Sequence, residues 1–242
     1  QVGLTEAEVS GALLCLDVTE RVVDEAITKG CNLIVAHHPL IFRKLSQVTD
    51  ANYVQRTVIK AIKNDIVIVA MHTNLDAAFG GVNFKIAERL GLRDVRFFGR
   101  EKVVTNPLTD KKVTGGDGVI GCFDTPLAAD DLILLLKKEF DVECVQANEL
   151  LRREIRIVAL CGGSGSFLLQ DAINAGADAF ITGEMGYHEF FGHEQEIQLC
   201  VIGHYQSEQY TTEVLRDVIE RDCSGVKCCI SEINTNPIVY FS

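Results

Sequence analysis

The sequence contains no tryptophan and only two methionines and four prolines in 242 residues. Aromatic residues make up 7%, so we predict a core of valine, isoleucine, leucine and alanine. The hydrophobic content of 47% is ordinary for a globular chain. The length allows one large domain or two smaller ones, each with an ample core.

Long apolar runs are also missing. No run approaches the roughly 20 residues that a helix needs to cross a bilayer, and no secretory signal is visible. We therefore expect no membrane segment and a cytoplasmic location. The chain opens on Gln1 rather than methionine, and we expect that an N-terminal segment precedes it.

Positive charge is scarce, with 23 lysines and arginines against 34 acidic residues and a net charge of −11. A nucleic-acid-binding surface needs a basic stripe, so the charge argues against such a partner. The nine cysteines form no CxxC motif, and several, such as Cys15, Cys161 and Cys200, lie inside apolar runs. This usage predicts a reducing compartment and no disulfide framework.

Three polar clusters are present instead, and each follows an apolar run typical of a buried strand. They are Ala36–Pro39, which contains two histidines, His72–Asp76 and Gly203–Glu208. Because ligands gather at the carboxyl ends of parallel strands, the clusters would bring four histidines and two carboxylates to one sheet edge. That composition is typical of a metal site.

The order of predicted elements occurs twice. Residues 12–30 align with residues 158–176 without a gap, and the His-x-x-x-acid motif of His72–Asp76 matches that of His204–Glu208. We therefore predict an α/β fold with two pseudo-symmetric βαβ-repeat halves, mainly parallel sheets and helices outside.

The middle of the chain breaks this pattern. Gly115–Gly118 predicts a turn between two strands, and a helix is predicted from about residue 128. We predict a first βαβ half over residues 1–93, a small α+β insertion with antiparallel strands over 94–148, and a second βαβ half over 149–242. The two halves are expected to form one metal-binding domain.

The spacing within the clusters suits metal binding. Pro39 disfavours helical backbone at His38, so the strand ends and His37 and His38 can converge. His204 and Glu208 are four residues apart and share a face if a helix begins there. The same spacing recurs in the middle cluster.

Imidazoles and carboxylates suit zinc, iron, manganese or nickel, which the sequence does not distinguish, and a carboxylate can bridge two ions about 3.5–4 Å apart. Five protein ligands are too few for two closed sites, so shared carboxylates would leave positions open. Open positions indicate chemistry or substrate binding rather than a structural role.

Each feature also has a simpler interpretation. A single histidine at a strand end is more often only hydrogen-bonded than bound to a metal. For His72, the alternative is a position beside the metal rather than a role as a ligand. Glu184 and His188 could be acid–base groups, or Glu184 could merely favour a helix N-terminus. Residues 162–166 could cradle a phosphate, but without a P-loop lysine they favour a plain tight turn. His193 has no supporting pattern and is predicted to be exposed.

Five segments carry a more specific signal. In chain order they are Leu16–Thr19, Ile34–Phe42, His72–Asp76, Thr182–Met185 and Gly203–Glu208. Together they resemble the NIF-three-like (YbgI-like) dinuclear metal-centre family, whose members are labelled GTP cyclohydrolase 1 type 2 homologs. The resemblance spans nearly the whole chain, and the order and spacing of the motifs are specific.

The resemblance implies two divalent metal ions per chain and a toroidal hexamer with its metal sites facing an internal cavity. It implies that the metal ligands are His37, His38, Asp76, His204 and Glu208. It places His72, Glu184 and His188 near the metals rather than among the ligands. The sequence departs from the family at its start, where only Gln1–Gly3 corresponds to the usual helical segment, and in its short middle insertion.

Two functions follow as hypotheses. The first is a metal-dependent hydrolase that acts on a small molecule, a nucleotide or a related heterocycle, in which a metal acidifies water and protons are moved by His72, Glu184 or His188. The alternative is a non-enzymatic metal-binding or metal-delivery protein, or a ring scaffold for interactions. Candidate proton-transfer groups beside the ligands favour the enzyme, because a carrier needs only the ligands.

Overall fold

The computed structural model describes residues 1–106 and 109–241, and the chain divides into two compact units. The first unit comprises Gln1–Thr73 and Thr211–Ser242, and the second comprises Asn74–Tyr210. These bounds differ from the three segments drawn from the sequence pattern, whose boundaries stay a prediction. Among the described residues, no helix has both the length and the apolar character needed to cross a bilayer.

The first unit is built on a four-stranded parallel sheet. Its strands are β1 (Ala12–Cys15), β2 (Leu33–Ala36), β3 (Val67–Ala70) and β10 (Cys228–Ile230), in the order β10-β1-β2-β3. The register pairs Cys15 with Ala36 and Ala36 with Ala70, so three strands end at one level. Residues that follow these strands therefore share one edge of the sheet.

The helices of this unit are α1 (Glu20–Thr28), α2 (Tyr53–Lys63) and α8 (Thr211–Asp222). Thr19 caps α1 by accepting the N–H of Val22, and Asn52 caps α2 in the same way. Such side-chain caps satisfy backbone donors that have no partner within the helix. The apolar face of α1 packs into a core that includes Leu13 and Ile34.

The second unit contains a six-stranded mixed sheet. Its strands are β4 (Arg93–Thr105), β5 (Lys112–Leu127), β6 (Gln146–Ala147), β7 (Ile155–Cys161), β8 (Ala179–Thr182) and β9 (Gln198–Val201), in the order β4-β5-β7-β8-β9-β6. β7, β8 and β9 are parallel to one another, whereas β4, β5 and β6 pair antiparallel. The long β4–β5 hairpin supplies antiparallel strands in the middle of the chain, but the turn predicted at Gly115–Gly118 is wrong, because these residues lie within β5 and pair with β4.

The described part of the second unit contains four further helices. They are α4 (Val82–Arg89), α5 (Ala129–Phe140), α6 (Leu169–Asn174) and α7 (His204–Glu208), with 3₁₀ turns at Ser166–Leu168 and Tyr187–Phe190. Helix α5 is the longest of the four. A single helical turn, α3 (Thr73–Asp76), spans the boundary at Thr73.

The α/β class with a mainly parallel sheet is confirmed. The pseudo-symmetric repeat stays a prediction, and the two units differ in one respect. Helix α2 connects β2 to β3, whereas the described chain between β8 and β9 contains only the 3₁₀ turn Tyr187–Phe190.

One half-buried carboxylate connects β7 to the start of β8. Asp178 accepts the backbone N–H groups of Arg156 and Ile157 at 2.9 and 2.8 Å and pairs with the guanidinium of Arg153. Burial alone would raise the pKa of Asp178, but the two backbone donors and Arg153 outweigh it, and the pKa lies below its ordinary value.

The variant Asp178→Asn tests this contact. A carboxyl whose pKa is lower in the folded state stabilises above its unfolded pKa of about 3.9 and loses that contribution as pH falls through the folded pKa. We expect the variant to lose about 1–3 kcal/mol at neutral pH, and the difference from wild type to shrink on acidification. Urea unfolding at several pH values measures both, and Asp222→Asn, at the exposed Arg221 pair, is the control. A pH-independent difference would contradict the assignment.

Candidate metal centre

Three histidines of the first unit form an imidazole group. His37 and His38 follow β2 directly, and His72 follows β3. The centroids of their rings lie 4.8 Å apart for His37–His38, 5.4 Å for His37–His72 and 5.6 Å for His38–His72. One ring nitrogen of each lies within 4.8 Å of the others, close enough to share an ion.

The backbone beyond β2 explains how two adjacent histidines converge. The N–H of His37 donates to the carbonyl of Cys15 at 3.1 Å, and that of His38 donates to Leu16 at 2.9 Å. The chain thus stays attached to its neighbour past the end of the strand. Adjacent side chains that a regular strand would send to opposite faces therefore lie side by side.

Hydrogen bonds at Nδ1 define the protonation of two of these rings. Nδ1 of His37, which is fully buried, lies 2.9 Å from the carbonyl oxygen of Met71. Nδ1 of His38 lies 2.8 Å from Oδ1 of Asp17. Carbonyl and carboxylate oxygens only accept, so each Nδ1 carries the proton and the Nε2 lone pair is the one that can bind a metal.

The second unit contains the other three proposed ligands, which are Asp76, His204 and Glu208. Helix α7 begins at His204, and Glu208 lies one turn later, with its carboxylate Oε2 3.2 Å from His204 Nε2. The spacing of four thus places both side chains on one helix face, as expected from the sequence. Glu208 is only 4% exposed.

The charge around this group is negative. The pKa of the Cys161 thiol is raised to about 12, first by burial and then by the charges of Asp76, Glu208 and Asp117. Carboxylates that act on one buried thiol create a local field that favours a cation.

His204 lies between two carboxylates. Its Nδ1 is 2.9 Å from Glu184 Oε1, and its pKa is raised first by the hydrogen bond to Glu208 and then by the charges of both glutamates, against the effect of burial. The pKa of Glu184 is lowered, first by the hydrogen bond from Ser164 and then by His204, whereas burial opposes this. Both shifts arise from the opposite charges that the imidazole and the carboxylates bring together, and the same carboxylates favour a bound cation.

Glycines 162 and 163 pack against these side chains. Gly163 has φ of +58°, and a Cβ added there would lie 2.3 Å from Oε1 of Glu208. Its carbonyl accepts the N–H groups of Gly183 and Glu184 at 3.0 and 2.9 Å. The glycine-rich loop, which the sequence predicted as a plain tight turn rather than a phosphate cradle, contacts Glu184 and Glu208 in this structure.

The sequence analysis missed four groups that hold the candidate ligands. Asn83 is 1% exposed, donates to the carbonyl of Asp76 at 3.2 Å and accepts the N–H of Gly162 at 2.9 Å. The other three are the Met71 carbonyl, Asp17 and Ser164. Asp17 had a visible signal, because it follows β1 at the distance at which His38 follows β2, whereas Asn83 lies in a helix with no such signal.

The two remaining histidines have other contacts. His188 is exposed in the 3₁₀ turn, and its ring contacts Tyr187 and Phe191 with centroids 5.2 and 6.2 Å away. The side chain of His193 is 20% exposed, more buried than expected, because it pairs with Glu196 at 2.8 Å. Within the described part of the chain, neither belongs to a group of potential ligands.

The donor set fits a divalent metal ion. Imidazole nitrogens and carboxylate oxygens are the ligands of zinc and of the neighbouring first-row metals. Metal-bound histidines usually donate their other ring N–H to a carboxylate or a backbone carbonyl. His37, His38 and His204 each have such an acceptor at Nδ1.

The fold and these groups together define a mixed α/β protein with side chains suited to metal binding. A family model described as Duf34/NIF3 (NGG1p interacting factor 3) matches residues 1–237, and the chain belongs to this family. The family resemblance drawn from the motifs is thereby confirmed.

Individual relatives agree. The chain is 34% identical to a GTP cyclohydrolase 1 type 2 homolog of Clostridium perfringens, over 99% of this chain and 89% of the relative. A protein of the same name from Lactococcus lactis is 32% identical, over 98% and 88%. The solved structure of Staphylococcus aureus hypothetical protein SA1388 has a TM-score of 0.87 and 28% identity, and the match covers 100% of this chain and 90% of that one.

Proposed function

We propose that the protein binds two divalent metal ions and acts as a hydrolase on a nucleotide or a related heterocycle. The proposed ligands are His37, His38, Asp76, His204 and Glu208. The observation that carries the proposal is the set of acceptors at Nδ1 of all three proposed histidine ligands. This arrangement directs the Nε2 lone pairs to a metal.

A divalent ion, when bound, supplies Lewis acidity and lowers the pKa of water. The residues of the chain do the rest. Glu208 and Asp76 balance the positive charge, and Glu184 holds the proton of His204 Nδ1. His72, Glu184 and His188 are the proposed proton-transfer groups. Support for a nucleotide as the substrate comes from the relatives' name, GTP cyclohydrolase 1 type 2 homolog.

We also propose a cytoplasmic location and a toroidal homohexamer. The odd number of cysteines and the absence of a CxxC motif support a reducing compartment. The hexamer is what the family resemblance implies, and native mass spectrometry would test it. The net charge of −11 disfavours a nucleic-acid partner.

Metal content and turnover test the proposed function together. Elemental analysis of protein purified without chelators or a nickel column is expected to find about two ions per chain. The wild-type protein, loaded with the metal so identified, is then assayed for ring opening or dephosphorylation of GTP. We expect Glu208→Gln to reduce turnover at least about 100-fold, because a carboxylate ligand is replaced by a weak amide donor.

Glu196→Gln is the matched control, because it changes a glutamate that also contacts a histidine but lies in no potential ligand group of the described residues. Turnover that is unchanged in Glu208→Gln contradicts the hydrolase. Metal binding in the wild type without turnover of any nucleotide supports the metal-binding or metal-delivery alternative.

A further inference from the structure

Three side chains in the first unit form a hydrogen-bonded series that ends at His38. The hydroxyl of Thr235 donates to Oδ2 of Asp17 at 2.6 Å, and Oδ1 of Asp17 accepts from His38 Nδ1 at 2.8 Å. Both oxygens of the carboxylate are thus engaged, and the carboxylate cannot rotate without losing a hydrogen bond.

A hydrogen-bonded series of the same kind occurs in the second unit. The hydroxyl of Ser164 donates to Oε2 of Glu184 at 2.5 Å, and Oε1 of Glu184 accepts from His204 Nδ1 at 2.9 Å. In each unit a hydroxyl holds a carboxylate, which in turn holds the Nδ1–H of a proposed ligand.

We propose that Asp17 and Glu184 are positioning residues, which fix the tautomer and the orientation of the His38 and His204 rings and make each Nε2 a stronger metal donor. This inference rests on the proposed metal-binding function. It assigns a role to Asp17, Thr235 and Ser164, and it gives Glu184 a role separate from proton transfer.

The positions of the two hydrogen-bonded series in the fold support a role at the proposed metal site. Asp17 and His38 each lie two residues beyond Cys15 and Ala36, which pair in neighbouring parallel strands. Glu184 lies two residues beyond Thr182, on the strand next to the one that His204 follows. Rigid neighbouring strands thus supply carboxylate and imidazole in both cases.

The two hydrogen-bonded series do not occupy equivalent positions in the strand order of their sheets. In the first unit the carboxylate follows β1 and the histidine follows β2, whereas in the second they follow β8 and β9, the middle and last of three parallel strands. One is therefore not a copy of the other at the corresponding position. The same three groups arise separately, each at a proposed histidine ligand.

The His37 ring provides an internal comparison. Its Nδ1 donates to the neutral carbonyl of Met71, whereas His38 and His204 donate to carboxylates. A carboxylate acceptor increases the basicity of the opposite nitrogen more than a neutral carbonyl does. His38 and His204 are therefore expected to contribute more to metal affinity than His37 does.

Two readouts test the inference. Zinc affinity is measured by competition with a chelator for the wild type, Asp17→Asn, Glu184→Gln, Asp17→Leu and Glu184→Leu. We expect a loss of about 10–100-fold for each variant. The tautomers of the six histidines are read from long-range ¹H–¹⁵N spectra of the metal-free protein at alkaline pH. Each leucine variant is expected to lose the Nδ1–H form at His38 or His204 respectively, and only there.

Glu196→Gln, at the His193 pair, is the control and should leave zinc affinity unchanged. A wild type that binds neither zinc nor any of the other three candidate ions contradicts the proposed function, and the spectra alone then decide the inference. An unchanged tautomer in the leucine variants overturns the inference, as does unchanged zinc affinity in a wild type that binds zinc. If a leucine variant does not fold, the amide variants of the same shape supply the affinity readout.

Discussion

Gly163→Ala is expected to weaken metal binding by at least about tenfold in a protein that still folds. The added methyl group would lie 2.3 Å from Oε1 of Glu208 and 3.4 Å from Cε1 of His204. Glu208 is buried, so its carboxylate has little room to move away. The substitution therefore displaces a proposed ligand without removing any ligand atom.

The variant also pays a backbone cost, since φ of Gly163 is +58° and an alanine there costs about 1–2 kcal/mol. Gly176→Ala separates the two effects, because Gly176 has φ of +74° and no atom within 4 Å of an added Cβ. We expect Gly163→Ala to lose at least as much stability as Gly176→Ala, because it adds a steric clash to the shared backbone cost, and only Gly163→Ala to lose metal. Titration with zinc and urea unfolding measure the two quantities. Equal metal affinity in both variants would show that Gly163 does not shape the site.

Phe180→Ala is expected to cause the largest loss of stability, about 3–5 kcal/mol. Phe180 is fully buried in the core of the second unit. It lies on β8, which pairs with both β7 and β9. Truncation would leave a cavity between sheet and helix that rigid strands cannot close. A loss of this size is a large fraction of the about 5–15 kcal/mol that stabilises a domain.

Phe167→Ala is the matched control for this change. Phe167 is 64% exposed, and its truncation should alter the free energy of unfolding by no more than about 0.5 kcal/mol. Urea denaturation of the metal-free proteins gives both values and avoids the contribution of bound metal. Similar losses in the two variants would mean that β8 is not part of the stabilising core.

The two predictions concern the same strand end from opposite sides. Phe180 anchors β8 in the core, and the chain that leaves β8 carries Gly183 and Glu184 against the carbonyl of Gly163. Loosening β8 should therefore also loosen the acceptor at His204 Nδ1. We expect Phe180→Ala to bind metal less tightly than its folded fraction alone would predict, since positioning depends on rigid support.

The sequence by itself determined the class of the fold, the family and the elements that carry the candidate ligands. Apolar runs with polar clusters directly behind them are a local signal, because strand burial and strand ends depend on neighbouring residues. The spacing of four between His204 and Glu208 is likewise local, and α7 places both side chains on one face. The motifs that resemble the family are short segments, which needed no tertiary information.

Only the tertiary structure decided what holds those side chains. Thr235 lies 218 positions from Asp17 in the chain, and Ser164 lies 20 positions from Glu184. Asn83 reaches the loop at Gly162 from a helix 79 positions away. No periodicity or spacing encodes such pairs, because they depend on strand order and register. The sequence determined which residues can bind a metal, and the packing of the strands decided which oxygen accepts from Nδ1 of each proposed histidine ligand.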